Sequence, residues 1–348
     1  MDDAVRGARL ERHTLNVLAS LIADQGWTDD IDFVQNGHIR LFPTDVEEET
    51  LRKDYEAAKK AGVPVDDVKW ISKEEMKENG ADYPGVWFPA SNVWPIKLVT
   101  KMFLLAQDTA AASSSAPSPS IQLFTHTVVT SVTPASDGAS TPFARWTVNT
   151  SRGRIRTRYV MHATNAYASY LLPQFVPPPP SSSDVSSSIS KPLQQPSSAL
   201  PAPPQEPPQS NVSLLKQPRA AWIAPTRGQI IGTRATVSPD KLWKPSWQAN
   251  WGYEYWFPRY WFPRPPSKNE KALVILGGAR DRAGGALEMG VTDDATVNSH
   301  VSEALRQFLP QTFPGLFEEG AEPEYEWVRC LLIRARNIVL TARIANVH

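Results

Sequence analysis

The sequence predicts a mixed α/β fold, α/β in layout with α+β character. Three observations carry this. Helical periodicity opens the chain and returns around residues 294–309. Short period-two segments rich in Val, Ile, Thr and aromatics fill residues 121–163. Trp222–Gly232 resumes a strand pattern, and the apolar run Ala272–Arg280 reads as a buried strand ending in glycines. A chain of 348 residues can bury a sizeable core, as one large domain or two smaller ones.

Residues 5–24 read as a helix, because Leu15, Leu18 and Ile22 recur at helical spacing with Val17 and Leu21 beside them. "GHIRLF" (Gly37–Phe42) reads as a short strand. Thr44 and Glu47 have capping-box spacing before a helix that ends near Gly62, and Ser72 and Glu75 repeat that spacing. Pro95 suits the first turn of a helix running through Leu105. The period then changes to two. Residues 121–132, 143–150 and 154–163 form a predicted meander, separated by Asp137-Gly138 and Ser151-Arg152-Gly153. Its last strand ends on small and polar side chains, His162-Ala163-Thr164-Asn165-Ala166. Small residues at the carboxyl end of a strand leave room for something to approach the backbone, or they make an ordinary strand-to-helix turn with Thr164 as N-cap.

Residues 173–218 differ in kind. These 46 positions hold 13 prolines, 11 serines and no glycine, so the segment cannot offset its ordering entropy and is predicted to be a disordered insertion. Beyond it, Asp294 is placed to cap a helix to Leu309, with Val297, Val301, Leu305 and Phe308 on one face. "YWFPRYWFPR" is a tandem repeat, Tyr255–Arg259 and Tyr260–Arg264, which a strand accommodates through a bulge or loop.

Composition narrows the function. Lys+Arg and Asp+Glu are both 36, which makes no electrostatic case for nucleic acid. One cysteine, Cys330, and six dispersed histidines make no metal site. No apolar run is long enough to span a membrane. The acidic start Met1-Asp2-Asp3 is not a secretory signal, so a cytoplasmic protein is expected.

In order along the chain come "GHIRLF", "YPGVWFPASNVWPIKLV", "LFTHTVVTSV", "WTVNTSRGRIRTRYVMHATNAYASYLLP", "APTRGQIIGT", "GYEYW" and "ILGGAR". The set resembles the FAD-dependent oxidoreductases of the D-amino-acid oxidase, glycine oxidase and sarcosine oxidase type, most of all their fungal members, over roughly residues 5–172 and 220–327. The resemblance implies a partial FAD-binding parallel-sheet domain with a meander (1–36 and 96–172) and a mixed-sheet substrate domain (37–95 and 220–312). It implies FAD as cofactor and a small amine or amino acid as substrate. Ala163, Thr164 and Asn165 match the strand end beside the cofactor, and Val129 matches a strand near the adenine. Two departures stand out. The family's N-terminal G-x-G-x-x-G unit has no counterpart, since no G-x-G occurs. A tail over 328–348 without glycine replaces the family's Gly-rich segment after Glu326-Trp327. The chain is therefore expected to be incomplete and inactive alone.

Tyr255 and Arg259 are candidate contacts to a substrate carboxylate, on side-chain chemistry alone. The aromatic block Trp251–Phe262 reads equally as pocket wall or core. Gly277-Gly278 reads as a plain turn or a place of close approach, while Arg280, Arg282 and Asp293-Asp294 read as solvated charges. No acid/base pair stands out, as expected where a cofactor carries the chemistry. The alternative is a non-catalytic binding module on the same scaffold, unable to hold FAD.

Overall fold

A computed structural model of the chain describes residues 2–112, 120–135, 144–172, 223–259, 270–284 and 287–334. The Pro/Ser-rich insertion at 173–218, the second copy of the repeat and the tail beyond Arg334 lie outside the described residues.

Helix α1 (Asp2–Asp24) leads into strand β1 (His38–Leu41) and helix α2 (Asp45–Lys60). Strand β2 (Lys69–Ile71), the short helix α3 (Lys73–Met76), strand β3 (Gly85–Phe88) and helix α4 (Pro95–Ala111) follow. Then come β4 (Val129–Pro134), β5 (Trp146–Thr150), β6 (Gly153–Thr157) and the single turn α5 (Ala168–Leu171). The remainder is β7 (Ile223–Arg234), β8 (Ser246–Ala249), β9 (Glu254–Pro258), β10 (Leu273–Gly278), α6 (Ser299–Thr312) and β11 (Tyr325–Arg334). Eight strands make one mixed sheet in the order β11-β7-β10-β9-β8-β1-β3-β2, and β4-β5-β6 form a separate antiparallel meander. The large sheet is antiparallel except where β1 lies parallel to β8. The predicted mixed α/β class stands.

The main core lies between this sheet and α6. Ile39, Ile231, Trp247, Trp256 and Leu276 point from the strands toward Val301, Leu305 and Leu309 of the helix. Trp247 and Trp256 are fully buried, face each other on paired strands with ring centroids 5.9 Å apart, and receive Phe313 edge-on. A second cluster joins α1 to α4 through Ile22, Trp27, Ile31, Phe33 and Leu98.

Four local expectations are corrected. The strand predicted over 154–163 ends at Thr157, and no strand among the described residues pairs with 158–163. A strand without a neighbour leaves its backbone donors to water. The helix expected to start from Asp294 is capped by Asn298, whose side-chain oxygen accepts from the amides of His300 and Val301. Thr44 does cap α2, but Glu47 does not return the hydrogen bond and turns inward instead, whereas Ser72 and Glu75 form a complete box. Finally, the first part of the atypical tail is ordered strand: β11 pairs with β7 from Tyr325↔Gly232 to Arg334↔Ile223.

Candidate functional site

Strand alternation gives the large sheet a second face, pointing away from α6. Register sets one row across it: Arg40, Gln248, Tyr255, Gly277, Ile230 and Trp327 stand side by side on successive strands. The next row holds His38, Ser246, Phe257, Ile275, Gly232 and Tyr325. At the β1/β8 end these rows are buried and polar, with His38 Nδ1 2.8 Å from Ser246 Oγ. Toward the middle they open: Tyr255, Phe257, Ile275 and Ile230 are half-buried and Trp327 is 38% exposed. The result is an aromatic platform with polar groups at its margin, the composition small-molecule sites use.

Tyr255 is fixed by its neighbour. A β-carbon built on Gly277 would fall 2.5 Å from the Tyr255 hydroxyl, so glycine there lets the phenol lie against the sheet. Burial pushes the Tyr255 hydroxyl pKa upward, and the nearby Arg280 charge opposes that shift. Gly278, at φ +127°, admits the Tyr253 carbonyl equally closely. The approach that Gly277-Gly278 allows is therefore made by the chain's own atoms.

The β8–β9 turn aims this strand. Asn250, Trp251 and Gly252 are all left-handed, at φ 50°, 61° and 82°. Side chains hold that costly shape. Glu47 accepts the Trp251 amide at 2.8 Å, with Arg40 3.8 Å from the same carboxylate oxygen. The Asn250 amide donates to Glu254 at 2.7 Å. Burial pushes the Glu254 carboxyl up to about 8, with Asp281 and Glu47 adding to the shift and Asn250 and Arg282 opposing it.

Arg259 is not free for a substrate. Its guanidinium is 2.8 Å from Asp32 and lies over the Trp94 ring at 4.4 Å, while Lys97 shares the same, nearly buried carboxylate. Arg280, expected as a solvated charge, is half-buried and lies 5.8 Å from the Tyr253 ring centroid.

The four cofactor candidates sit elsewhere. Val129 opens β4 opposite Thr150. Ala163, Thr164 and Asn165 are exposed in a turn where Asn165 takes φ 47°. That turn leans on β7 and β11, and its Tyr167 hydroxyl reaches Asp294 at 3.3 Å. Small exposed side chains there suit a close neighbour. A pyrophosphate needs more: a glycine-lined strand–helix turn with free amides. Among the described residues, the glycines most closely approached, Gly37, Gly85, Gly277 and Gly278, are filled by Trp87, by Met76 with the Arg40 carbonyl, by Tyr255 and by Tyr253. These residues do not fit the whole dinucleotide. No described helix is long and apolar enough to cross a membrane.

Solved structures with this fold include glycine oxidase from Geobacillus kaustophilus, at 17% identity and TM-score 0.54 over 93% of this chain and 66% of that one. Glycine oxidase from Bacillus cereus matches at 16% identity and TM-score 0.56, over 95% of this chain and 68% of that one. L-proline dehydrogenase from P. horikoshii matches at 18% identity and TM-score 0.55, over 90% and 65%. The chain thus spans about two thirds of the length of these structures. No curated protein sequence matches it. A profile of the FAD dependent oxidoreductase family matches residues 2–342, and the chain belongs to that family, whose members are FAD flavoproteins.

Proposed function

We propose that this chain serves the oxidation of a small amine or amino acid with FAD as electron acceptor, and that its described residues supply the substrate side. The aromatic platform carries this reading. It offers Tyr255 a fixed position in mid-sheet, flanked by Gln248 and Phe257, on the face not used by the core. Val129 and Ala163–Asn165 are the proposed neighbours of the cofactor. The chain's own part in the reaction is to bind and orient: the platform excludes water from one side of a bound amine, and the Tyr255 hydroxyl donates to it or accepts from it.

A second reading, a non-catalytic module on the same scaffold, draws support from Gly277 and Gly278, where the close approach is taken by Tyr255 and Tyr253. One experiment separates the two. The purified chain is incubated with FAD in large excess and a panel of amino acids and carboxylate-free amines, and carbonyl product and ammonia are measured. Product above the level of FAD alone is expected for at least one class. A blank panel would favour the module.

A further inference from the structure

We propose that the outer edge of the meander, strand β6, is a docking site for an extended acidic peptide, which adds to the three-stranded sheet as a further strand and sets its carboxylates against Arg154 and Arg156. The site does not depend on the oxidoreductase reading. It belongs to the separate sheet, and β5 stands between it and Val129 of β4.

Charge is the first observation. Arg154 and Arg156 fall on one face of β6, and Arg152 and Arg158 continue the period-two spacing beyond its two ends. All four side chains are exposed. Their cross-strand neighbours are neutral, with Arg154 opposite Asn149 and Arg156 opposite Thr147. Strands β4, β5 and β6 contain no acidic residue at all. Among the described residues none of these four arginines enters an ion pair, whereas Arg227, Arg234 and Arg259 each hold a carboxylate. Cations repeated along one strand repel one another, and an anion laid beside them relieves that repulsion.

The edge itself is the second observation. β6 pairs with β5, and no described strand lies on its other side. An open edge presents a row of N–H and C=O groups to any chain that can pair with them. A peptide strand answers both kinds of group, and β-strand addition is a recurring way to bind one. A phosphate chain or a lipid headgroup accepts from the amides but leaves the carbonyls unanswered. The third observation is what lies between the arginines. Ile155, opposite Val148 on the other face, is 44% exposed. A strand with carboxylates at every second position and apolar side chains between them meets both faces at once.

The test uses the full 348-residue chain and a fluorescein-labelled heptapeptide of alternating glutamate and valine, followed by fluorescence anisotropy. Saturable binding that weakens with added salt is expected. The same peptide methylated at its backbone amides keeps its charges but loses its donors, and should bind at least about 10-fold more weakly. Arg154→Glu combined with Arg156→Glu turns attraction into repulsion and should weaken the unmethylated peptide by about 10-fold or more. Circular dichroism checks the fold of that variant. If it does not fold, Arg154→Gln combined with Arg156→Gln decides, with a smaller loss expected. Unchanged affinity in the variants or equal binding of the methylated peptide would overturn the site. No saturable binding would do so as well, leaving the arginines as charges that guard an edge. Oligothymidylate or phosphatidylserine vesicles that bind more tightly than the peptide and displace it would also overturn it, in favour of a phosphate-binding surface.

Discussion

At the scale of single residues, Glu254 is the group whose protonation the fold decides. It is 2% exposed, and its partner Asn250 can donate to either protonation state. The sign follows from the shift. The folded pKa is raised from 4.5 to about 8, so the folded state holds the proton longer than the unfolded chain does. The stabilisation is fully present below pH 4.5 and is lost as pH rises through about 8. Glu254→Gln keeps the shape and removes the titration. Thermal unfolding of both proteins between pH 5 and pH 9 should show wild-type Tm falling relative to the variant by several degrees. Parallel curves would mean that the Glu254 carboxyl is ionised throughout. Arg259 was a candidate on side-chain chemistry, but only the fold shows that Asp32, remote in sequence, has taken it.

At the scale of elements, the β8–β9 turn has the most to lose. Three left-handed residues in succession are unfavourable, and Glu47 reaches across from α2 to hold them. Glu47→Ala removes a buried carboxylate from both the Trp251 amide and Arg40. Breaking a buried pair from one side costs roughly 3–5 kcal/mol. Urea denaturation should show that loss. Unchanged stability would show that the turn holds itself. This contact also marks where sequence reading stops. Thr44, Ser72, Pro95 and the runs Trp222–Gly232 and Ala272–Arg280 were legible because their signals are local: a cap, a fixed φ, a period. Glu47 looked like the return half of a cap because its real acceptor relationship spans 204 residues. The strand over 154–163 had the right composition, but a strand forms only where another pairs with it. Asn298, not Asp294, caps the helix because the helical turn begins only at Ser299, and the Asn298 side chain accepts from its first amides.

At the scale of the whole molecule, two regions are finished to different degrees. The large sheet buries Trp247 and Trp256 against α6 in a coherent core. Around α1, α4 and the meander the described surface is apolar. Leu10, Ile96, Val99, Leu123, Phe124 and Val128 are each more than half exposed, and Tyr159 and Met161 reach 77% and 91%. Single exposed apolar residues are ordinary, but this many on neighbouring elements form a surface that water opposes. The stretch 158–163, which no described strand pairs with, lies beside it, its Tyr159 backbone held, among the described residues, only by the Thr157 hydroxyl. A dinucleotide would need this region both to pack and to present free amides to phosphate, and the most crowded described glycines, Gly37, Gly85, Gly277 and Gly278, are filled by the chain's own atoms. The purified 348-residue chain is therefore expected to retain no stoichiometric flavin unless FAD is added in excess, and to self-associate. Gel filtration should show species larger than a monomer, and the apolar dye ANS should fluoresce with them. The visible spectrum decides the flavin question: a bound-flavin band near 450 nm (roughly, as for flavin cofactors generally) at about one per chain, on a monomeric peak, would show that the region closes around FAD after all.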